Sequence, residues 1–149
     1  MQTKKPIALI TGASSGIGHS LCEEFAKDGY DLILAARSVE KMQTQGDALQ
    51  KRYGIHVTVI GADLESRSGA EELHYQIKDS GMILNALVNN AGYGTFGEFK
   101  NTELSATLGM MQLNMNCVVV LTKLFLPDLL STNGKLLNVA STAAFQPGP

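Results

Sequence analysis

Thr11 to Ser20 reads TGASSGIGHS, with glycines at 12, 16 and 18. The loop lies between an apolar, β-rich run at 7–11 and a helical stretch that opens near 16, and in that setting the spacing suits phosphate binding. A strand must turn sharply into a helix whose first N–H groups lack partners and point outward, and a Cβ at the turn would hold an anion away. Gly12 suits the tight turn, Gly16 permits close backbone approach, and Gly18 lets the helix lie against the strand. The loop that holds nucleoside triphosphates has four residues between its glycines and then Gly-Lys-Ser/Thr. Here Gly16 is followed by Ile17, so that reading is rejected. The expected ligand is a pyrophosphate at the positive end of a helix, as in a dinucleotide.

The second β-rich run ends Ala35-Ala36-Arg37-Ser38, with no Asp or Glu. An acidic residue at that place bonds a ribose 2′-hydroxyl, whereas a basic one accommodates a 2′-phosphate. The Arg37 guanidinium offers forked hydrogen bonds to a dianion that a carboxylate would repel. NADP(H) is therefore expected in preference to NAD(H), with Ser14 or Ser15 as a second donor.

The elements that must position these groups alternate along the whole chain. Short, continuous apolar runs occur at 7–11, 31–36, 56–62, 86–90 and 135–141, and helical stretches at about 16–29, 39–53, 66–80 and 103–130. Continuous apolar runs predict strands covered on both faces, as in a parallel sheet. The order predicts an α/β fold, a three-layer sandwich with a doubly wound parallel sheet, and 149 residues without a linker predict one domain over 1–149. The fifth run has no helix after it, which leaves part of the sheet uncovered. Met110, Met111, Met115 and Val118 to Val120 are expected to fill the core or an interface.

Composition narrows the function. A net charge of −2 gives no basic surface for nucleic acid or an anionic membrane. Cys22 and Cys117 stand far apart without Cys-x-x-Cys spacing and are expected as buried free thiols; three scattered histidines predict no metal site. KKPIALITG is too short for a signal peptide, and Lys123 and Pro127 interrupt CVVVLTKLFLPDLL. A cytoplasmic protein with no membrane partner is the expectation.

The spacing Gly-x-x-x-Gly-x-Gly, with four further landmarks in order, resembles the short-chain dehydrogenase/reductase family. The landmarks are Asp63 in GADLES, Asn89-Asn90-Ala91-Gly92, Asn114 in QLNMN and Ser141 in LLNVAST. The resemblance implies a Rossmann-like fold and hydride transfer between nicotinamide and a small carbonyl or alcohol substrate. It also implies that Asp63 contacts adenine, that Asn89 to Gly92 support the sheet and line the cofactor ribose, and that Asn114 and Ser141 are catalytic. The cofactor-binding set is then Gly12, Ser14, Ser15, Gly16, Ile17, Gly18, Arg37, Asp63, Leu64, Asn90, Ala91 and Gly92. Tyr93, Thr95 and Phe96 are candidates for the substrate-pocket wall. Homo-oligomers through helix 103–130 are implied as well.

The family pattern also has a tyrosine followed four residues later by a lysine, beyond the serine. Four places after Tyr30, Tyr53, Tyr75 and Tyr93 come Leu34, Val57, Asp79 and Gly97. The expectation is a reductase piece that lacks its general acid and the sixth and seventh strands, and is inactive alone. The alternative is a non-catalytic dinucleotide-binding module.

Overall fold

The computed structural model describes residues 5–146. Five strands, β1 (Ile7–Thr11), β2 (Asp31–Ala36), β3 (Val57–Gly61), β4 (Ala86–Asn89) and β5 (Lys135–Asn138), form one parallel sheet in the order β3-β2-β1-β4-β5. Helices α1 (Gly16–Lys27) and α2 (Val39–Tyr53) cover one face. The other face carries α3 (Gly69–Asp79) and a long helix made of α4 (Leu104–Met111), a π-helical turn (Gln112–Cys117) and α5 (Val118–Ser131). The three-layer, doubly wound architecture expected from the alternating pattern is present.

Side chains of successive strand residues point to opposite faces, and the core divides accordingly. Ala8, Ile10, Leu32 and Leu34 pack with Cys22 and Ala26 of α1 and Met42 and Leu49 of α2. Leu9, Ile33 and Leu87 pack with Leu73 and Ile77 of α3 and Leu121 and Phe125 of α5. Burial of each such aliphatic side chain is worth about 1.5–3 kcal/mol, which is why β1, β2 and β4 read as continuous apolar runs. Below the second cluster, Asp128 of α5 accepts from Lys78 Nζ at 2.7 Å and from the Leu84 backbone N–H at 3.1 Å, tying α3, α5 and the approach to β4 together.

Three expectations are corrected. All four residues of β5 are exposed, with Leu136 at 44% and Leu137 at 40%, so it is an edge strand and not a doubly covered one. It also ends at Asn138; Val139 donates one more ladder bond to the Asn89 carbonyl before the chain leaves the sheet. The stretch Leu104–Ser131 is a single helical run of 28 residues, apolar and long enough to cross a membrane by length and composition; Lys123 and Pro127 do not interrupt it. Its inner residues Leu121, Phe125 and Leu129 are packed on the sheet. Of the residues expected to fill the core or an interface, Met111, Met115 and Val119 on the same run are exposed, so the core does not take them.

Candidate dinucleotide site

The chain runs outward from β1 through β2 to β3, then crosses back to place β4 on the other side of β1. At such a reversal the loops leaving two adjacent strands diverge and open a crevice at their carboxyl ends. A groove of about 1110 Å³ occupies that position, and residues following all five strands line it. Its floor is held by Thr11, the last residue of β1. The buried Thr11 hydroxyl donates to the Val88 carbonyl at 3.1 Å and accepts from the backbone N–H groups of Asn90 and Ala91 at 3.0 and 3.1 Å. Asn90 answers with its side-chain amide, donating to the Thr11 and Gly12 carbonyls at 2.9 and 3.3 Å.

The glycines divide the work as their spacing predicts. Gly12 has φ +65°, and an added Cβ would lie 2.9 Å from the Ala91 Cα. Gly16 has φ +55° with nothing within 4 Å of where a Cβ would stand, so its backbone faces open groove. Gly18 does not line the groove. It is buried beneath it, where a Cβ would strike the Gly12 carbonyl and the Asn90 amide. The nitrogen end of α1 thus opens into the groove, with Ser14, Ser15 and Ile17 beside it. An open cradle in front of unpaired helix N–H groups fits a diphosphate.

Arg37 lies at the groove mouth after β2, 73% exposed, with Nη1 3.8 Å from Glu65 Oε2. Asp63 lines the groove and folds its carboxylate onto the Glu65 N–H at 3.2 Å. Leu64 also borders it, but its side chain is 4% exposed and belongs to the core, so what it offers a ligand is mainly backbone. On the opposite wall Asn89 donates to Thr122 Oγ1 and Asn138 Oδ1 at 3.1 and 2.9 Å, joining β4 to β5 and α5. Asn89 Oδ1 is buried without a partner among the described residues.

Asn114 falls in the π-helical turn, a distortion that often marks functional sites. Its side chain clamps the loop after β4, accepting from the Tyr93 N–H at 3.2 Å and donating to the Tyr93 carbonyl at 2.8 Å. Each end of that amide keeps one further hydrogen-bonding position. Gly92 packs closely beside it: a Cβ there would lie 3.0 Å from Asn114 Oδ1, so the clamp would have to give by a few tenths of an ångström. Ser141 opens a 3-10 turn at Thr142–Phe145, and its Oγ accepts from the Ala143 N–H at 3.1 Å, which leaves the hydroxyl proton free to donate. Asn90, Ala91, Gly92, Asn114 and Ser141 all border the one groove.

Sequence reasoning missed three residues here. Thr11 carried a signal, a hydroxyl at the end of an otherwise apolar strand. Lys41 lines the groove from the first turns of α2, four residues after Arg37. Glu65 bridges to Tyr93, whose hydroxyl sits 3.2 Å from both Glu65 Oε1 and the Ala106 carbonyl; burial first, and then the Glu65 carboxylate, pushes the Tyr93 phenol up from its ordinary range. Elsewhere, both cysteines are buried free thiols as expected; burial pushes Cys22 up to about 12 and Cys117 up to about 11.

A glycine cradle at the switch point of a doubly wound sheet defines a Rossmann-like α/β domain. Comparison with known proteins extends this. The family model for short chain dehydrogenase matches residues 6–149, so the chain belongs to that family. It is 33% identical to very-long-chain 3-oxoacyl-CoA reductase of Anas platyrhynchos, over 95% of this chain and 47% of that protein. It is 32% identical to 17-beta-hydroxysteroid dehydrogenase type 3 of Mus musculus, with the same coverages. The chain thus spans about half the length of the curated relatives it matches. Among solved structures, the alcohol dehydrogenase of Thermococcus sibiricus complexed with 5-hydroxy-NADP superposes with a TM-score of 0.90 at 29% identity, over 98% of this chain and 62% of that one. A short-chain dehydrogenase of Sphingobium yanoikuyae in complex with NADPH gives 0.87 at 29%, over 95% and 56%.

Proposed function

We propose that this chain is the NADP(H)-binding part of an oxidoreductase that transfers hydride between nicotinamide and a carbonyl or alcohol. One observation carries the reading: the groove at the β1/β4 reversal brings the glycine cradle and Arg37 together with Asn114 and Ser141. The α1 amide end and Gly16 take the diphosphate, and Arg37, with Lys41 nearby, takes the 2′-phosphate. Asp63 is the group placed to meet adenine. The dinucleotide, when bound, supplies or accepts the hydride. Ser141 donates its hydroxyl proton to the substrate oxygen, which polarises the carbonyl. Asn114 fixes the Tyr93 loop that forms the substrate side of the groove. The substrate is a carbonyl compound or alcohol of the kind named for the relatives, which include 3-oxoacyl-CoA and hydroxysteroid enzymes. The exposed Leu104, Leu108, Met111 and Met115 support pairing of two copies through the long helix.

No tyrosine in these 149 residues is followed by lysine four places on, so the acid–base pair of the family pattern is not among them. General acid–base catalysis is worth about 10²–10⁴ in rate. The chain alone is therefore expected to bind cofactor without measurable carbonyl reduction, and activity is expected when a segment bearing that pair is appended. The binding test is fluorescence titration with NADPH and NADH. NADPH should bind more tightly, and Arg37→Ala should weaken NADPH about tenfold, a modest factor for so exposed a cation, while leaving NADH within about twofold. Equal affinity for both cofactors would overturn the NADP(H) assignment, and ordinary turnover by the isolated chain would overturn the account of the proton.

A further inference from the structure

We propose that Glu65 is a specificity-determining residue whose carboxylate competes with the ligand's 2′-phosphate for the Arg37 guanidinium. The inference rests on the NADP(H) reading above. Glu65 is not a loose surface carboxylate: its side chain is half-buried, Oε1 lies 3.2 Å from the Tyr93 hydroxyl that also faces the Ala106 carbonyl, and Gly109 of α4 leaves the notch it fills, since a Cβ there would collide with it. Fixed at that oxygen, the side chain presents Oε2 to Arg37. Their separation of 3.8 Å exceeds the 2.7–2.9 Å of a charge-assisted hydrogen bond, so the guanidinium is attracted without being fully engaged. Arg37 remains 73% exposed and available to a better anion.

A dianionic phosphate arriving at Arg37 meets that fixed negative charge and has to draw the guanidinium from it. A ligand with a 2′-hydroxyl incurs neither cost. Glu65 thus lowers NADPH affinity and narrows the gap between the two cofactors, which moderates the preference that Arg37 creates. Glu65→Gln keeps the shape and the acceptor for Tyr93 and removes only the charge.

The experiment is a double-mutant cycle on the 149-residue chain, with NADPH and NADH titrated by fluorescence against wild type, Glu65→Gln, Arg37→Ala and the double variant. Thermal unfolding of each is the check on folding. Glu65→Gln should tighten NADPH about three- to tenfold and change NADH less than about twofold. In the Arg37→Ala background its effect on NADPH should fall below about twofold, because the contested group is gone. Unchanged NADPH affinity in Glu65→Gln, with the NADPH preference of the wild type intact, overturns the competition alone. The same gain with and without Arg37 also overturns it, since that would be repulsion without competition. A wild type without preference for NADPH removes the cofactor assignment and this inference together.

Discussion

Replacing Gly18 by alanine should destabilise the domain by about 2 kcal/mol, even though Gly18 does not line the groove. The added Cβ would run into the Gly12 carbonyl oxygen and the Asn90 amide, and would stand 2.9 Å from the Gly12 carbonyl carbon. None of these is the free end of a flexible side chain: Gly12 is the turn itself, and the Asn90 amide is bonded to Thr11 and Gly12. Relief requires α1 to move off β1, at the 1–3 kcal/mol typical of overpacking. Displacing Asn90 costs about 1 kcal/mol more for its hydrogen bond to Thr11. Alanine returns about 1 kcal/mol of helix propensity, because Gly18 lies in the first turn of α1 and has no left-handed backbone to exploit. The net loss of about 2 kcal/mol corresponds to roughly 4–8 °C in Tm for a domain of this size. Urea unfolding followed by circular dichroism gives the stability, and NADPH titration gives the consequence, a loss of binding as the cradle shifts. Gly18→Ala as stable as the wild type, within about 0.5 kcal/mol, would refute the claim that helix and strand are in contact there.

Three further predictions concern stability. Asp128→Ala should cost about 2–4 kcal/mol in urea unfolding, since it strands the buried Leu84 N–H and leaves Lys78 without its carboxylate. The Cys22 thiol keeps its proton to about pH 12 when folded but ionises near its ordinary value of 9.0 when unfolded, so its contribution is intact below pH 9 and is lost as pH rises from 9 towards 12. One pH unit into that window the loss is about 1.4 kcal/mol, and Cys22→Ala should show a shallower fall in stability above pH 9 than the wild type. His74 stacks edge-on against Phe125, and burial, aided by Lys78, lowers its pKa below 6.5; stability should therefore fall as pH drops below 6.5, and less so in His74→Phe.

What was legible in the sequence is what one residue type can state alone. Gly12, Gly16 and Gly18 announced a turn, an open approach and a close packing because only the absence of a Cβ permits each, and all three geometries are present. The runs that became β1, β2 and β4 announced two-sided burial because their apolar residues are continuous. The run at 135–141 reads the same way, yet β5 is exposed, since an edge position depends on what lies beside a strand and not on its own composition. Pairwise features were hidden for the same reason. Glu65 meets Tyr93 and Arg37 across 28 residues in each direction, and nothing in GADLES records that meeting.

Two departures from regular structure border the same groove. One is the left-handed glycine loop between β1 and α1; the other is the π-helical turn that carries Asn114. Both are joined to the loop after β4: Asn90 bonds the glycine loop, and Asn114 clamps Tyr93, three residues further on. That loop therefore joins the two distortions, with Thr11 fixing its start from below. Under the function proposed above, a dinucleotide settling on the glycine loop would act through Asn90 on the chain that Asn114 holds. Asn114→Ala separates the glycine loop from that clamp. It should leave the cradle and NADPH affinity within about threefold while releasing the loop at Tyr93, seen as faster amide hydrogen exchange over 91–97. Protection unchanged there would show that the Asn114 clamp does not order the wall.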